Sequence, residues 1–253
     1  MNENGTASNG PILSAVVTGG SSGIGAAIVA RFVQAGVAVV QIDLQEPPAA
    51  ITSSAHFVQG SSGDARTLKR AITTAQGLAD RFGIFCACAG ISNPGNSLHY
   101  PDSEWQRIVD VNLSSVFFGA RQAATAMEAG GSIVAIGSVH GHLGFGGRAA
   151  YSASKAGVIG LVRSLAIEWA PRGIRVNSVS PGYTATDLVN RNIASGAIDT
   201  EQLRSRIPAN RLGTPQEVAE AVWFLASDAS SYVTGADLLV DGGLAAYGLP
   251  LNG

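Results

Sequence analysis

The most restrictive feature of this 253-residue chain is a glycine-rich run set between an apolar, strand-like segment and an amphipathic one. Leu13 to Thr18 is short and apolar, Gly19-Gly20-Ser21-Ser22-Gly23-Ile24-Gly25 follows, and from Gly23 to Gln34 the apolar residues recur with helical period. Glycines at such a junction let the backbone turn sharply and lie close to another group, so the segment reads as a strand turning directly into a helix. The alternation then continues along the chain. Further apolar runs at Val37 to Ile42, His56 to Gln59, Ile84 to Cys88, Ser132 to Ile136, Ile174 to Val179 and Leu238 to Val240 read as strands. Ala65 to Phe82, Ser103 to Met127, Ala149 to Ala170 and Pro215 to Ser227 read as helices, with Thr214 and Pro215 giving a cap and first-turn signature. Several of the strand runs lack polar alternation, as parallel strands covered on both faces do. The expected fold is α/β, a single-domain doubly wound fold with a seven-stranded parallel sheet flanked by helices.

No internal repeat, charge block or linker divides the chain. A polar leader over residues 1–10 is expected to precede one domain over 11–253, and the polar stretch Pro181 to Leu212 is long enough for a lid, placed around 183–212. Charged residues make up 13%, about half the usual ~25%, and the 32 glycines lack a three-residue repeat, which excludes a disordered or collagen-like chain. A net charge of -2 and a pI near 6.1 provide no basic field, so neither nucleic acid nor a membrane is expected as a partner. There is no apolar run of ~18 residues and no basic residue before Arg31, which points to a cytoplasmic protein. Cys86 and Cys88 are two residues apart without neighbouring ligands, so they read as small buried apolar side chains rather than a redox or metal pair.

The glycine run is also a candidate phosphate cradle. Backbone N–H groups of Gly19, Ser21, Ser22, Gly23, Ile24 and Gly25, with the positive end of the helix dipole, suit a pyrophosphate; a ligand-free turn would not need three glycines at these spacings. Asp43 stands just after the second strand, 18 residues beyond Gly25. An acid there accepts hydrogen bonds from both ribose hydroxyls and repels a 2′-phosphate, favouring NAD over NADP; a solvated loop acid is the alternative.

Tyr151 and Lys155 are four residues apart at the start of a helical segment, hence on one face. A phenol is a weak base at neutral pH, and a neighbouring cation favours its ionised form, so the pair suits proton exchange with an alcohol or carbonyl oxygen. Lys155 is one of only two lysines in a chain that otherwise uses arginine. On its own the pair would equally fit a helix surface, but Ser138, 13 residues before Tyr151, falls at the C-terminal end of a strand, where α/β sheets hold ligands. Its hydroxyl is placed to hold a substrate oxygen. Gly137-Ser138-Val139-His140-Gly141 matches Gly-x-Ser-x-Gly, but a glycine-rich loop rather than a helix follows, which argues against an acyl nucleophile.

Taken as a set, these motifs resemble the short-chain dehydrogenase/reductase family from Leu13 to Gly243. The resemblance implies a catalytic tetrad of Asn112, Ser138, Tyr151 and Lys155, with Tyr151 and Lys155 also touching the cofactor. It further implies adenine-side contacts at Asp64 and Ala65, a backbone contact at Gly90, and a nicotinamide-side turn using Pro181, Gly182, Thr184 and Thr186. Where the family usually has Asn-Asn-Ala-Gly, this chain reads Ala87-Cys88-Ala89-Gly90, so side-chain amide anchoring is lost there. Asn177 is read as structural. The implied activity is hydride transfer between NAD(H) and a secondary alcohol or ketone, by a homotetramer as is common in the family. Ser138, His140 and Tyr183 are the expected substrate contacts, with Ser92, Asn93, His142, Phe145 and Leu188 as further candidates. His140, His142 and Arg148 after the serine, with Asp187, Asn190, Arg191 and Asn192 in the lid, favour a small polar hydroxylated substrate. Leu143, Phe145, Tyr183, Leu188 and Val189 keep an apolar ketone open. Two rival readings are an NADPH-dependent 3-oxoacyl-(acyl-carrier-protein) reductase and a non-catalytic dinucleotide-binding protein.

Overall fold

The computed structural model describes residues 13–48, 55–128, 130–186, 189, 193 and 200–247. The expected leader, and lid residues Asp187, Leu188, Asn190, Arg191 and Asn192, lie outside the described residues. The strands are β1 (Leu13–Thr18), β2 (Ala38–Asp43), β3 (His56–Gln59), β4 (Arg81–Ala87), β5 (Gly131–Ile136), β6 (Ile174–Pro181) and β7 (Asp237–Val240). They form one seven-stranded sheet in the order β3-β2-β1-β4-β5-β6-β7, and every pairing is parallel. The helices are α1 (Gly23–Gln34), α2 (Ala65–Leu78), α3 (Asp102–Val109), α4 (Ser115–Ala126), α5 (Ala149–Trp169), α6 (Thr200–Arg204) and α7 (Pro215–Ala226).

Because strand side chains alternate, each strand feeds two cores. Val16, Val40 and Ile42 point to one face and pack with Leu68 and Ala71 of α2, Ala120 and Ala123 of α4, and Val158 and Val162 of α5. Ala15, Val17 and Val39 point to the other and meet Ile28 and Phe32 of α1 and Val218, Val222 and Leu225 of α7. The Thr214–Pro215 signature holds: Thr214 and Glu217 form a reciprocal capping box at the start of α7. Asn177 is structural as expected, bonding the Val233 carbonyl at 2.9 Å and the Ala236 N–H at 3.0 Å.

Three expectations are corrected. The helix from Ala65 stops at Leu78 rather than Phe82, because Arg81 and Phe82 pair with Leu13 and Ser14 as the start of β4. The register then shifts so that Ala15 faces Ile84, leaving Gly83 as the extra residue of a bulge. The helix expected over Ser103 to Met127 is interrupted by one π-helical stretch, Asp110–Ser114, between α3 and α4. Finally, the stretch after Pro181 contains α6, which its polar composition conceals.

The strand order reverses between β1 and β4, so the connections after these two neighbours leave the sheet in opposite directions and open a crevice at their C-terminal ends. The Thr18 hydroxyl at the end of β1 accepts from Cys88 N at 3.1 Å and Ala89 N at 3.2 Å, tying the two exits together.

Candidate active site

The glycine loop is shaped by steric necessity. Gly19 and Gly23 have φ of +69° and +53°, which L side chains rarely adopt. A Cβ on Gly19 would lie 2.8 Å from the Ala89 backbone, and one on Gly25 would overlap the Gly19 carbonyl. The loop thus closes back on the first turn of α1, and the N-cap Ser22 makes no side-chain cap hydrogen bond to the helix N-terminus. Thr186 lies over the loop, its methyl 3.3 Å from where a Gly23 Cβ would stand. These features fit a pyrophosphate bound through backbone donors.

Asp43 ends β2 beside this loop. Its Oδ2 accepts from Ser21 N at 3.0 Å, and Oδ1 from Leu44 N at 2.7 Å, so the carboxylate faces backbone donors and, among the described residues, no lysine or arginine bonds to it. Asp64 caps α2, with Oδ2 accepting from Thr67 N at 2.9 Å and Thr67 Oγ1 at 2.7 Å. Those bonds hold its carboxyl below the usual carboxylate range. Ala65 is the first residue of the same helix.

The π-helical stretch positions Asn112. Its Oδ1 accepts from Ile91 N at 2.8 Å, and its Nδ2 donates to Ile91 O at 2.8 Å and Ser154 Oγ at 3.2 Å. The fully buried amide therefore locks the turn after β4 onto α5. Gly90 stands at the meeting point, since a Cβ there would lie 3.5 Å from Asn112 Oδ1 and 3.6 Å from Lys155 Nζ. Lys155, also buried, donates to Ile136 O at 2.7 Å, and its ammonium lies 5.7 Å from the centre of the Tyr151 ring. Tyr151, Lys155, Asn112 and Gly90 are thus brought together.

Ser138 joins them through His140. The serine hydroxyl accepts from His140 N at 3.2 Å and lies 3.3 Å from His140 Nδ1. The imidazole stacks on Phe145 at 3.8 Å and meets Tyr151 edge-on at 5.2 Å and Tyr183 at 6.5 Å. Burial, and then the positive Arg148 nearby, push the His140 pKa down to about 4, so the ring is neutral near pH 7. A cavity of about 320 Å³ opens here, lined by Ser92, His140, Phe145, Gly146, Arg148, Tyr151 and Tyr183. The turn after β6, expected on the nicotinamide side, is held by Gly182 N donating to Val240 O and by Thr184 pairing with Gly213.

Two expected substrate contacts lie elsewhere. His142 Nε2 is 2.7 Å from Asp237 Oδ2, at the β6–β7 edge. Asn93 lines a separate cavity of about 180 Å³ with Tyr100 and Trp105. Cys86 and Cys88 are free thiols, Cys86 buried and Cys88 partly so; desolvation raises the pKa of Cys86 and pushes that of Cys88 up to about 12. The sequence reading missed Ile91 and Ser154, the partners of Asn112. Ser154 had one local signal, its three-residue spacing from Tyr151 on the same helix; Ile91 had none.

A doubly wound sheet with this loop, and with Ser138, Tyr151 and Lys155 at its C-terminal edge, defines a dinucleotide-binding oxidoreductase. A family model described as enoyl-(acyl carrier protein) reductase matches residues 19–245, and the chain belongs to the short-chain dehydrogenase/reductase family. Cis-4-hydroxycyclohexanecarboxylate dehydrogenase of Sinomonas cyclohexanicum is 40% identical, over 92% of this chain and 96% of its own. The 3-oxoacyl-(acyl-carrier-protein) reductase FabG of Escherichia coli K12 is 38% identical, over 91% and 96%. Among solved structures, ligand-free Thermoplasma acidophilum aldohexose dehydrogenase superposes with a TM-score of 0.87 at 32% identity, covering 96% of this chain and 97% of that one. A relative from Agrobacterium tumefaciens, 34% identical with a TM-score of 0.84 over 92% of this chain and 96% of its own, was solved with bound NADP.

Proposed function

We propose that the protein transfers hydride between NAD(H) and a secondary alcohol or ketone, its substrate being small, polar and hydroxylated. The observation that carries this reading is the Tyr151 ring on the wall of a cavity about 320 Å³ in volume, 5.7 Å from the Lys155 ammonium and 5.2 Å from the ring of His140, which is paired with Ser138. That size suits a single small ring or sugar-like molecule. The cofactor, when bound, accepts the hydride leaving the carbinol carbon or returns it to the carbonyl. In oxidation Tyr151 takes the hydroxyl proton while Ser138 orients the oxygen. Lys155, fixed by the Ile136 carbonyl, stabilises the negative charge on the phenol oxygen and would hold the ribose on the nicotinamide side of the cofactor. Asn112 sets the position of Lys155 by locking the Ile91 turn to α5, and passes protons towards solvent. Reduction reverses the roles. Residues 11–253 act as one catalytic domain with 183–212 as its lid, and the relatives that act on a hydroxylated ring acid and on aldohexoses support a polar substrate.

The glycine loop, α1 N-terminus and Asp43 would hold the cofactor, with Asp64, Ala65, Gly90, Pro181, Gly182, Thr184 and Thr186 along its length. Asp43 supports NAD, because it would repel a 2′-phosphate and among the described residues no cation bonds to it. Asp43→Ala should therefore narrow the NAD-over-NADP ratio of kcat/KM by about tenfold or more, as measured with both cofactors on one alcohol. Equal use of the two by wild type would overturn this assignment. It would then favour a second reading, suggested by the 38% identity to FabG, in which the substrate is a 3-oxoacyl thioester.

Assembly as a homotetramer accompanies this reading, in a cytoplasmic setting. Among the described residues no helix is long and apolar enough to cross a membrane. Phe118 of α4, Ile167 of α5 and Tyr232 stay exposed, Ile167 at 79%, with Leu238 and Leu239 of β7 on a further edge. Light scattering at micromolar concentration should give a mass near four times 25.7 kDa, and a monomeric mass would count against it.

A further inference from the structure

We infer that the substrate carries a carboxylate and that Arg148 is the residue that binds it; this rests on the oxidoreductase reading above for which hydroxyl reacts. Arg148 lines the same cavity as Tyr151 and His140. Its Nη1 donates to Ser92 Oγ at 2.8 Å, which fixes the guanidinium and leaves the Nε–Nη2 edge, the edge that meets a carboxylate side-on with two parallel hydrogen bonds. The side chain is half-buried and forms no ion pair among the described residues.

The position itself disfavours a lone cation. Arg148 is the N-cap residue of the 21-residue α5, whose first turn contains no acid, so the positive end of the helix dipole and the guanidinium reinforce each other. A charge held in a cavity wall against an unfavourable dipole points to an anion that arrives with the ligand. The remaining wall is neutral: the His140 imidazole, Phe145, Tyr151 and Tyr183 present no carboxylate to repel such a group. A single guanidinium with one donor already engaged matches one carboxylate better than a dianionic phosphate, which asks for more donors. Arg148 and Tyr151 are three residues apart at the start of α5, so anion and reacting hydroxyl would sit on neighbouring parts of one small molecule. The result is a hydroxy acid whose carboxylate is the specificity handle.

The test is a binding comparison that needs no turnover. Cyclohexanecarboxylate and its neutral isostere cyclohexanecarboxamide are titrated calorimetrically into wild type, Arg148→Gln and Arg148→Lys, each with NADH present and absent. Wild type should prefer the carboxylate by about 10- to 100-fold, the worth of a charge-assisted pair. Arg148→Gln should bring the preference close to one, and Arg148→Lys should keep part of it, which separates loss of charge from loss of fold. No carboxylate preference in wild type, or an unchanged preference in Arg148→Gln, overturns the inference. Arg148-dependent carboxylate binding by a protein that oxidises no secondary alcohol would leave the anion site standing and remove the proposed reaction. Alcohol oxidation with no effect of Arg148 on binding would do the reverse.

Discussion

Tyr151→Phe should lower kcat by about 10² or more while leaving the dissociation constant for NADH within a few-fold of wild type. General acid–base catalysis contributes roughly 10²–10⁴ in rate, and this substitution removes the only atom of Tyr151 able to carry the proton. The ring stays, and with it the edge-on contact to His140 at 5.2 Å and the approach to Lys155 at 5.7 Å, so the cavity keeps its shape. The proposed phosphate cradle at Gly19 to Gly25 is built on other elements and should bind cofactor as before. NADH fluorescence titration and steady-state rates on the same preparation separate the two quantities. Turnover at the wild-type rate would take Tyr151 out of the reaction, while equal losses in binding and rate would mean that it holds cofactor rather than moving a proton.

Asn112→Ala should combine a stability loss with a loss of turnover. The buried amide satisfies both the N–H and the C=O of Ile91 and also reaches Ser154. Truncation leaves two backbone groups without partners, and each buried, unpaired group costs about 1–3 kcal/mol. With partial access of water to the turn, we expect a net cost of about 2–4 kcal/mol, or a Tm lower by roughly 5–15 °C in a protein of this size. Turnover should fall further than folding alone explains, because the turn that carries Gly90 beside Lys155 loses its anchor. Calorimetric melting, together with kcat measured well below the new Tm, tests both parts. Asn112→Asp is the informative companion: it keeps an acceptor for Ile91 N but faces the Ile91 carbonyl with an oxygen, so it should melt below wild type. A variant that melts with wild type would show that water replaces the amide at little cost.

Much of the site could be read from the chain because its signals are local. The glycine loop is legible because glycine readily adopts φ near +60°, which most side chains disfavour, and only glycine permits the close approach of Gly25 to the Gly19 carbonyl. The Tyr151–Lys155 pair follows from helical spacing, and the capped start at Thr214 from side-chain chemistry within four residues. Boundaries were less legible where the sheet competes with local period. Phe82 continues the helical pattern of α2, but it is recruited into β4 by pairing with Ser14, and no local pattern records that competition. The π-helical stretch at Asp110–Ser114 has the same residue preferences as the helices on either side, so nothing in the sequence marks it.

The sequence alone determined the seven strands in order, the glycine loop between the first strand and its helix, and the shared helix face of Tyr151 and Lys155, because each rests on periodicity or spacing within one element. Tertiary structure alone decided that Asn112 answers to Ile91, that His142 turns to Asp237 while His140 stacks over Phe145 beside Tyr151, and that Arg148 faces the cavity without an acid. These relations join distant elements or depend on how a glycine-rich loop packs. They follow from sheet register and the close packing of helices against it, which fix direction and burial only once the whole chain has folded.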